Sequence, residues 1–277
     1  MKDASKVILV TGATSGFGKA TALYLAGLGH KVYGFGRSVE STSKEAGGNL
    51  TMMRMDVDDS ASVNDAMGAV LAAEGRIDVV LAAAGLGLGG SVEDISIAEA
   101  KALFETNVFG VLRTVKAAAP AMRKQRSGLI VFVSSIGGLI GLPFQGMYSS
   151  TKFAIEGLAE AMSMELRPFG VDVVIVEPGD FATGFTANRV KAAMSEAPDS
   201  EYKETYKRAM RNIEKDENSG YKPDVFAIAL SRIISSRRRK LRYMIGSPLQ
   251  KSSVFIKKVL PARLFERIMG WYYTGSR

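Results

Sequence analysis

Short apolar runs alternate with helical patterns along most of this 277-residue chain. The first pair is "KVILVTG" at residues 6–12, which reads as a strand, and "GKATALYLAGLG" at residues 18–29, which reads as a helix. A second helix is predicted at residues 60–75, capped by Ser60, and a long one at 96–125, bent at Pro120. Further strands are predicted at residues 31–37, 50–57, 77–85, 128–135, 171–179 and 240–246.

This alternation predicts an α/β fold, with a doubly wound parallel sheet of about seven strands and helices on both faces. The strands are apolar at consecutive positions, as strands covered on both sides should be. Because no linker or repeat interrupts the pattern before about residue 185, a single domain is expected.

Composition excludes several kinds of chemistry. The chain has no cysteine, which rules out a disulfide framework, a thiol nucleophile and a zinc–thiolate site. Its one histidine, His30, lies in a Gly-containing turn and is expected to be solvated. Without a G-x-S-x-G motif, a Ser-His-Asp hydrolase is disfavoured. No apolar run of about 18 residues and no signal-peptide pattern is present, so we expect a cytoplasmic protein.

The loop "TGATSGFG", Thr11 to Gly18, joins the first strand to the first helix. Gly12 allows a tight turn, while Gly16 and Gly18 let the backbone approach a phosphate and the helix pack on the strand. The start of the helix offers free N–H groups to a pyrophosphate. This position in the pattern predicts dinucleotide binding rather than a merely structural turn.

The second strand ends at Arg37, where enzymes that prefer NAD usually carry an acid for the ribose 2′-hydroxyl. A guanidinium there suits a 2′-phosphate. NADP(H) is therefore favoured over NAD(H); the alternative is a solvated surface arginine.

Tyr148 and Lys152 are four residues apart in "YSSTKFAIEGLAEAMSMELR", so a helix would place them one turn apart on one face. A cation near a phenol favours its ionised form, which would make Tyr148 an acid or base usable near neutral pH. Alternatively, the two residues are an exposed pair at a helix start.

Taken together, the spacing G-x-x-x-G-x-G, Tyr148-x-x-x-Lys152 and Ser135 thirteen residues before the tyrosine resemble the short-chain dehydrogenase/reductase family over roughly residues 6–247. The resemblance implies a Rossmann fold in which Tyr148 exchanges the proton, Ser135 binds the substrate oxygen, and Lys152 lowers the tyrosine pKa and holds the ribose. Asn107 would hold a water that links Lys152 to solvent. No metal is needed. The cofactor residues implied by the motifs, besides Asn107, Tyr148 and Lys152, are Gly12, Thr14, Ser15, Gly16, Phe17, Gly18, Arg37, Asp56, Val57, Ala84, Gly85, Pro178, Gly179, Phe181 and Thr183.

One motif departs from that family. Asn-Asn-Ala-Gly is common after the fourth strand, where this chain has Ala82-Ala83-Ala84-Gly85. The missing amides would have braced the sheet and the cofactor pocket, so the packing on the adenine side is in doubt.

The C-terminal quarter is strongly basic. Residues 203–277 hold 18 Lys and Arg against 6 Asp and Glu, a net charge of +12, whereas residues 1–202 have a net charge of −4. By resemblance, residues 1–247 form the dehydrogenase domain, with a substrate lid at about 180–222. Residues 248–277 form a basic amphipathic extension, which either lies on a membrane surface or packs on its own core or on a partner subunit.

The sequence therefore predicts an NADP(H)-dependent oxidoreductase of hydrophobic ketones or alcohols. By resemblance, steroids, retinoids and long-chain keto-lipids are the substrate classes, and a homo-oligomer, dimer or tetramer, is expected. The alternative is a non-catalytic dinucleotide-binding regulatory protein that contacts nucleic acid through "SSRRRKLR". We expect that stretch to be a solvated turn and expect no nucleic-acid partner.

Overall fold

The computed structural model describes residues 5–275, and an eight-stranded sheet forms its centre. The strand order is β10-β8-β7-β5-β1-β2-β4-β3, and all pairs are parallel except that of β3 with β4. A small parallel pair, β6 with β9, lies outside this sheet. The strands are β1 (Val7–Thr11), β2 (Lys31–Gly36), β3 (Ser43–Glu45), β4 (Leu50–Arg54), β5 (Val79–Ala82), β6 (Leu88–Gly89), β7 (Gly128–Val133), β8 (Val171–Pro178), β9 (Val190–Lys191) and β10 (Arg242–Ile245).

Helices cover both faces of the sheet. They are α1 (Gly16–Gly27), α2 (Ser60–Glu74), α3 (Ile97–Phe104), α4 (Val111–Gln125), α5 (Gly146–Leu166), α6 (Lys203–Asn218), α7 (Pro223–Ser235), α8 (Pro248–Val259) and α9 (Ala262–Thr274). Apolar residues of α2, α4 and α5 pack on one face of the sheet, and those of α1 and α7 pack on the other. Burial of these two layers explains why β1, β5 and β7 are apolar at consecutive positions. The predicted doubly wound α/β fold is confirmed.

The sheet also determines where a ligand can bind. Strand β1 lies between β2 and β5, and the chain winds outward from it in opposite directions on its two sides. In open parallel sheets the crevice at such a switch point, outside the carboxyl ends of the strands, is the ligand site. The loop Thr11–Gly18 leaves β1 at that position.

Several local predictions were wrong. His30 is buried rather than solvated, and its Nδ1 accepts a hydrogen bond from the Lys6 backbone at 3.3 Å. Asp59, not Ser60, caps α2, because its carboxylate accepts from the Ala61 N–H. The long helix at 96–125 is interrupted by a π-helical segment, Glu105–Gly110, whereas Pro120 lies inside α4. Sequence periodicity does not detect a one-residue change of helical register.

The C-terminal segment folds back onto the rest of the chain. Val254 of α8 and Phe265 of α9 are buried against Ile136 and Ile140, beside the carboxyl end of β7. The Lys257 ammonium donates to the Leu139 carbonyl. Of the two alternatives for this segment, packing on its own core is therefore present.

Candidate active site

The glycine-rich loop has the geometry of a phosphate-binding turn. Gly12 has φ of +68°, and a Cβ there would lie 3.0 Å from the Ala84 Cα. A Cβ on Gly18 would lie 2.2 Å from the Gly12 carbonyl oxygen, so only glycine allows this contact between helix and loop. Ser15 precedes α1, whose first N–H groups face the crevice end of the sheet. These residues fit the pyrophosphate of a dinucleotide.

Two adjoining cavities run from this loop across the carboxyl edge of the sheet. The smaller one, about 250 Å³, is lined by Thr14, Arg37, Asp56 and Val57, at the end suited to an adenosine. The larger one, about 540 Å³, is lined by the glycine loop and by the predicted catalytic residues Ser135, Tyr148 and Lys152. It also contains Phe17, Pro178, Gly179, Phe181 and Thr183, while Gly12, Ser15, Arg37, Ala84 and Gly85 border both cavities.

Arg37 lies at the mouth of the smaller cavity with its side chain 59% exposed. Its nearest acidic partner is Asp58, at 3.9 Å, a carboxylate that also accepts from the Thr106 hydroxyl at 2.9 Å. A pair this long and exposed is weak. The guanidinium is therefore available to a ligand phosphate, although sequence reasoning missed the nearby acid.

Tyr148 and Lys152 lie one turn apart in α5, as predicted, and both are buried. The Lys152 ammonium is 5.7 Å from the centre of the tyrosine ring and donates to the Val133 carbonyl at 3.0 Å. Ser135 caps the 3-10 turn that follows β7, and its Oγ accepts from the Gly137 N–H at 3.0 Å. The geometry excludes the alternative of an exposed surface pair.

The influences on the pKa of Tyr148 differ from the expectation that Lys152 lowers it. Burial raises the pKa of Tyr148 to about 12, with the Ser135 hydroxyl acting in the opposite direction. The charges that act on this pKa belong to Glu217, which raises it, and to Arg189, which lowers it. Lys152 is not among these causes. Burial also lowers the pKa of Lys152, to about 8.

Asn107 lines neither cavity and braces the site from within the π-helical segment. Its Oδ1 accepts from the Leu86 N–H at 2.7 Å, and its Nδ2 donates to the Leu86 carbonyl at 2.9 Å and to Thr151. The Thr11 hydroxyl meanwhile accepts from the N–H groups of Ala83 and Ala84, both at 3.0 Å. Thr11 and Asn107 thus hold the loop after β5, which lacks the family's usual asparagines.

The segment after β8 contains two residues predicted to meet the cofactor. The Phe181 ring is buried and packs edge-on against Phe17, at 4.9 Å between centres, which leaves its backbone for a cofactor contact. The side chain of Thr183 is closer to the glycine loop: a Cβ on Gly16 would lie 3.8 Å from the Thr183 Cβ.

The sequence predicted a substrate lid at about 180–222 but did not identify the individual residues of the far wall of the larger cavity. This wall carries the apolar side chains of Ile140, Leu142, Phe185, Ile213 and Met269 and the carboxylates of Asp180, Asp216 and Glu217. These residues come from four segments that only the tertiary fold brings together, so no local spacing pattern could have indicated the wall.

Comparison with known proteins agrees with this geometry. The family model described as short chain dehydrogenase matches residues 6–193. The chain is 38% identical over 269 residues to a protein named 3-ketodihydrosphingosine reductase from Bacteroides thetaiotaomicron, covering 97% of this chain and 98% of that one. It is 33% identical over 259 residues to human retinol dehydrogenase 8, covering 87% and 82%. The chain belongs to the short-chain dehydrogenase family and is an oxidoreductase, as the resemblance implied.

Solved structures share the same fold. A short-chain dehydrogenase from Streptomyces avermitilis is 30% identical and superposes with a TM-score of 0.81 over 98% of this chain and 97% of that one. A Burkholderia phymatum member of the family in complex with NAD gives 0.79 at 27% identity, covering 93% and 94%. An alcohol dehydrogenase from the archaeon Thermococcus sibiricus complexed with 5-hydroxy-NADP gives 0.71 at 28% identity, covering 88% and 97%. Similar structures therefore hold both kinds of nicotinamide dinucleotide.

Proposed function

We propose that this chain is an NADP(H)-dependent oxidoreductase that transfers a hydride between the nicotinamide and a carbonyl or secondary alcohol of a hydrophobic substrate. The observation that carries the proposal is the position of Tyr148. Its buried phenol faces one cavity that has the glycine-rich loop at one end and, at the other, a wall of apolar side chains and carboxylates. The names of the relatives, which refer to a keto-sphingoid lipid and to retinol, support a hydrophobic substrate.

The proposed roles follow from the chemistry of carbonyl reduction. A bound nicotinamide dinucleotide would supply the hydride. Negative charge then develops on the carbonyl oxygen, which the Ser135 hydroxyl stabilises by a hydrogen bond and the Tyr148 hydroxyl protonates. The raised pKa of Tyr148 keeps its phenol protonated near neutral pH, the form required for reduction. Lys152, buried between this phenol and the Val133 carbonyl, would hold the ribose hydroxyls.

The preference for NADP(H) rests on Arg37. The end of β2 offers this guanidinium and the neighbouring Ser38 hydroxyl to the smaller cavity. Both groups donate to a phosphate. The Asp58 carboxylate would repel a phosphate bound there. Its Oδ2 lies 3.9 Å from the Arg37 Nη1, which is too far for a hydrogen bond, so the guanidinium can still donate to a phosphate.

The test is a panel of ketones and alcohols that includes steroids, retinal and long-chain 3-keto-lipids, followed by NADPH absorbance for the wild type and for Tyr148→Phe. Turnover of a hydrophobic ketone by the wild type and not by the variant supports the proposal. Absence of turnover across the panel, with NADPH bound, would instead favour the non-catalytic alternative. Within the basic cluster of that alternative, Arg239 bonds to Asp172 and to two carbonyls of α7, and Arg242 pairs with Glu156 and Glu160. Its other members, Arg237, Arg238 and Lys240, are exposed.

We also propose that the outward faces of α8 and α9 contact an anionic membrane surface. Phe255 and Trp271 are 65% and 62% exposed, and Leu249, Val259, Leu264 and Ile268 are exposed beside them. From residue 248 to 275 the sequence has five Lys or Arg and one acid, Glu266. Exposed apolar side chains among basic ones are typical of helices that lie in a lipid interface. Among residues 5–275, no helix combines the length and apolarity needed to cross a bilayer.

Co-sedimentation with phosphatidylserine-containing vesicles at low salt tests the membrane contact. Phe255→Ser with Trp271→Ser should reduce binding, whereas Met164→Ser, an equally exposed apolar residue on α5, should not. If the wild type does not sediment with these vesicles, the proposal fails. Truncation after Gly246 is a poorer test, because it would uncover Ile136 and Ile140. Assembly into a dimer or tetramer stays a prediction, which sedimentation velocity measures.

A further inference from the structure

Two charged residues of the segment 180–222, the predicted substrate lid, form a buried ion pair. The Arg189 guanidinium donates through Nη2 to Oε1 of Glu217, and the two side chains are only 2% and 13% exposed. The other carboxylate oxygen of Glu217 accepts from the Thr186 hydroxyl at 2.7 Å. Both carboxylate oxygens are therefore bonded, and the ion pair joins the stretch after β8 to the last turn of α6.

Backbone contacts fix the position of Arg189 on the side away from its acidic partner. A Cβ on Gly89 would lie 3.3 Å from the Arg189 Cδ, and a Cβ on Gly87 would lie 2.9 Å from the Phe185 ring. The next residue, Val190, donates its N–H to the Gly87 carbonyl at 2.9 Å, beside the pairing of β6 with β9. The guanidinium is thus enclosed between the chain after β5 and the end of α6.

Hydrogen bonds to protein groups do not explain why this guanidinium is buried. Among residues 5–275, Nη2 has the Glu217 carboxylate as acceptor, whereas Nε and Nη1 are buried with no acceptor. Buried donors without acceptors are unfavourable, and a buried ion pair is often no more stabilising than apolar residues of the same volume. Charges buried in this way are enriched at functional sites, where they change the acidity of neighbouring groups.

The ion pair lies behind the Tyr148 phenol, with one aromatic ring between them. The Arg189 guanidinium carbon is 5.7 Å from the centre of the Phe185 ring, which is 5.5 Å from the centre of the Tyr148 ring. Glu217 lines the larger cavity together with Phe185 and Tyr148. Because both members of the pair are buried, solvent screens their charges only weakly, and each charge acts on the phenol.

The two charges act on Tyr148 in opposite directions. Burial is the largest influence and raises the pKa of the phenol to about 12, and the Ser135 hydroxyl lowers it. Of the charges, Glu217 raises this pKa and Arg189 lowers it. The other charged side chains that line the cavity, none of which is among these causes, are Arg37, Lys152, Asp180 and Asp216.

We propose that Arg189 and Glu217 are positioning residues for Tyr148: the buried pair holds two opposite charges beside the phenol and so determines how readily it gives up its proton. This inference rests on the proposed function of the same site. Both residues belong to the segment 180–222, so the phenol has the balanced pair beside it only while that segment is packed on the chain after β5. The acidity of the phenol is thereby coupled to the segment that supplies much of the far wall of the larger cavity.

The experiment measures the ionisation of Tyr148 directly, in protein isotope-labelled at the tyrosine Cζ, whose chemical shift reports the tyrosinate fraction. The Tyr148 resonance is assigned by its loss in Tyr148→Phe. At one alkaline pH at which the variants are folded, Glu217→Gln should increase the tyrosinate-to-phenol ratio, and Arg189→Met should decrease it. We expect a change of roughly 3- to 10-fold in each direction, where a tenfold change corresponds to about one pKa unit.

Two further variants control for disturbed folding. The double variant Arg189→Met with Glu217→Gln leaves no unpaired charge buried, so it should fold and return the ratio close to the wild-type value. Comparing it with either single variant gives the effect of one charge, so one single variant that folds is sufficient. Lys191→Met removes a charge from an exposed pair with Glu196 in the same segment and should leave the ionisation of Tyr148 unchanged.

The outcomes separate the two proposals. A tyrosinate fraction that does not change when either charge is removed, or that moves in the same direction for both, overturns this inference. The measurement uses no substrate, so that result leaves the oxidoreductase proposal intact. Failure to reduce any ketone of the panel overturns the proposed function itself, whatever the tyrosinate fraction.

Discussion

The Lys152 ammonium lies 5.7 Å from the centre of the Tyr148 ring and is held there by the Val133 carbonyl at 3.0 Å. The strand that supplies this carbonyl, β7, ends at Val133, and Ser135 lies two residues further along the chain. Strand β7 and helix α5 therefore fix the phenol, the ammonium and the hydroxyl relative to one another.

Tyr148→Phe keeps the ring and its contact with Phe185 but removes the proton. We expect NADPH affinity to be retained and turnover to fall by about 100- to 10,000-fold, the contribution typical of a general acid. Near-normal turnover of a verified substrate by this variant would refute the proposed mechanism.

Ser135→Ala and Ser134→Ala form a matched pair at the end of β7. Ser135→Ala should slow turnover and spare cofactor affinity, because its hydroxyl faces Gly137 and the phenol. Ser134→Ala should change turnover little, since its buried Oγ lies beside Gly138. Equal effects of the two changes in steady-state assays would contradict the assigned role of Ser135.

Arg37→Ala tests the cofactor preference. We expect NADPH binding to weaken by about 1–3 kcal/mol, the scale of a hydrogen bond to a charged group, and NADH binding to stay nearly unchanged. Asp58→Asn should leave NADPH affinity equal or higher, because it removes the competing acid. Titration by protein fluorescence measures all four affinities, and equal losses for both cofactors would argue against a 2′-phosphate contact.

Lys152→Met should produce an inactive but more stable protein. Burial lowers the pKa of Lys152 from its ordinary 10.5 to about 8, so the unfolded chain binds the proton more tightly between those values. The wild type therefore gains stability as pH rises from about 8 to 10.5, and at pH 7 the buried charge costs about 1–3 kcal/mol. Denaturant titration should show Lys152→Met more stable at pH 7, with cofactor affinity reduced.

Glu177→Gln tests a buried carboxylate behind the site. Burial and the charge of Glu156 raise the pKa of Glu177 to about 7, so the native state holds its proton more tightly than the unfolded chain does. Stability should therefore fall as pH rises from about 4.5 to 7, and Glu177→Gln should gain about 1–3 kcal/mol at pH 8. Arg242, whose Nε lies 3.2 Å from the Glu177 carboxylate, keeps Glu156 and Glu160 as charged partners in this variant. A lower melting temperature than that of the wild type at pH 8 would contradict this account.

The sequence predicted the motifs that lie on regular elements. The seven principal strands, the glycine loop and the Tyr148–Lys152 pair depend on periodicity and short spacings, which a single segment determines. The bonds of Thr11 and Asn107 to the loop after β5 were not predictable, because these side chains meet that loop from other segments. The same holds for the burial of His30 and for the far wall of the larger cavity, which depend on tertiary packing.

The Gln250 side chain connects the start of α8 to the segment after β8. Its side chain accepts from the Ser247 N–H, which completes the cap of α8, and it donates to Asp180 in the segment after β8. An outward movement of that segment would therefore break this hydrogen bond between Asp180 and the first turn of α8. Through this contact residues 248–275 are coupled to the rim of the cleft, so a change at Asp180 should alter the stability of α8, and a change in α8 should alter ligand binding.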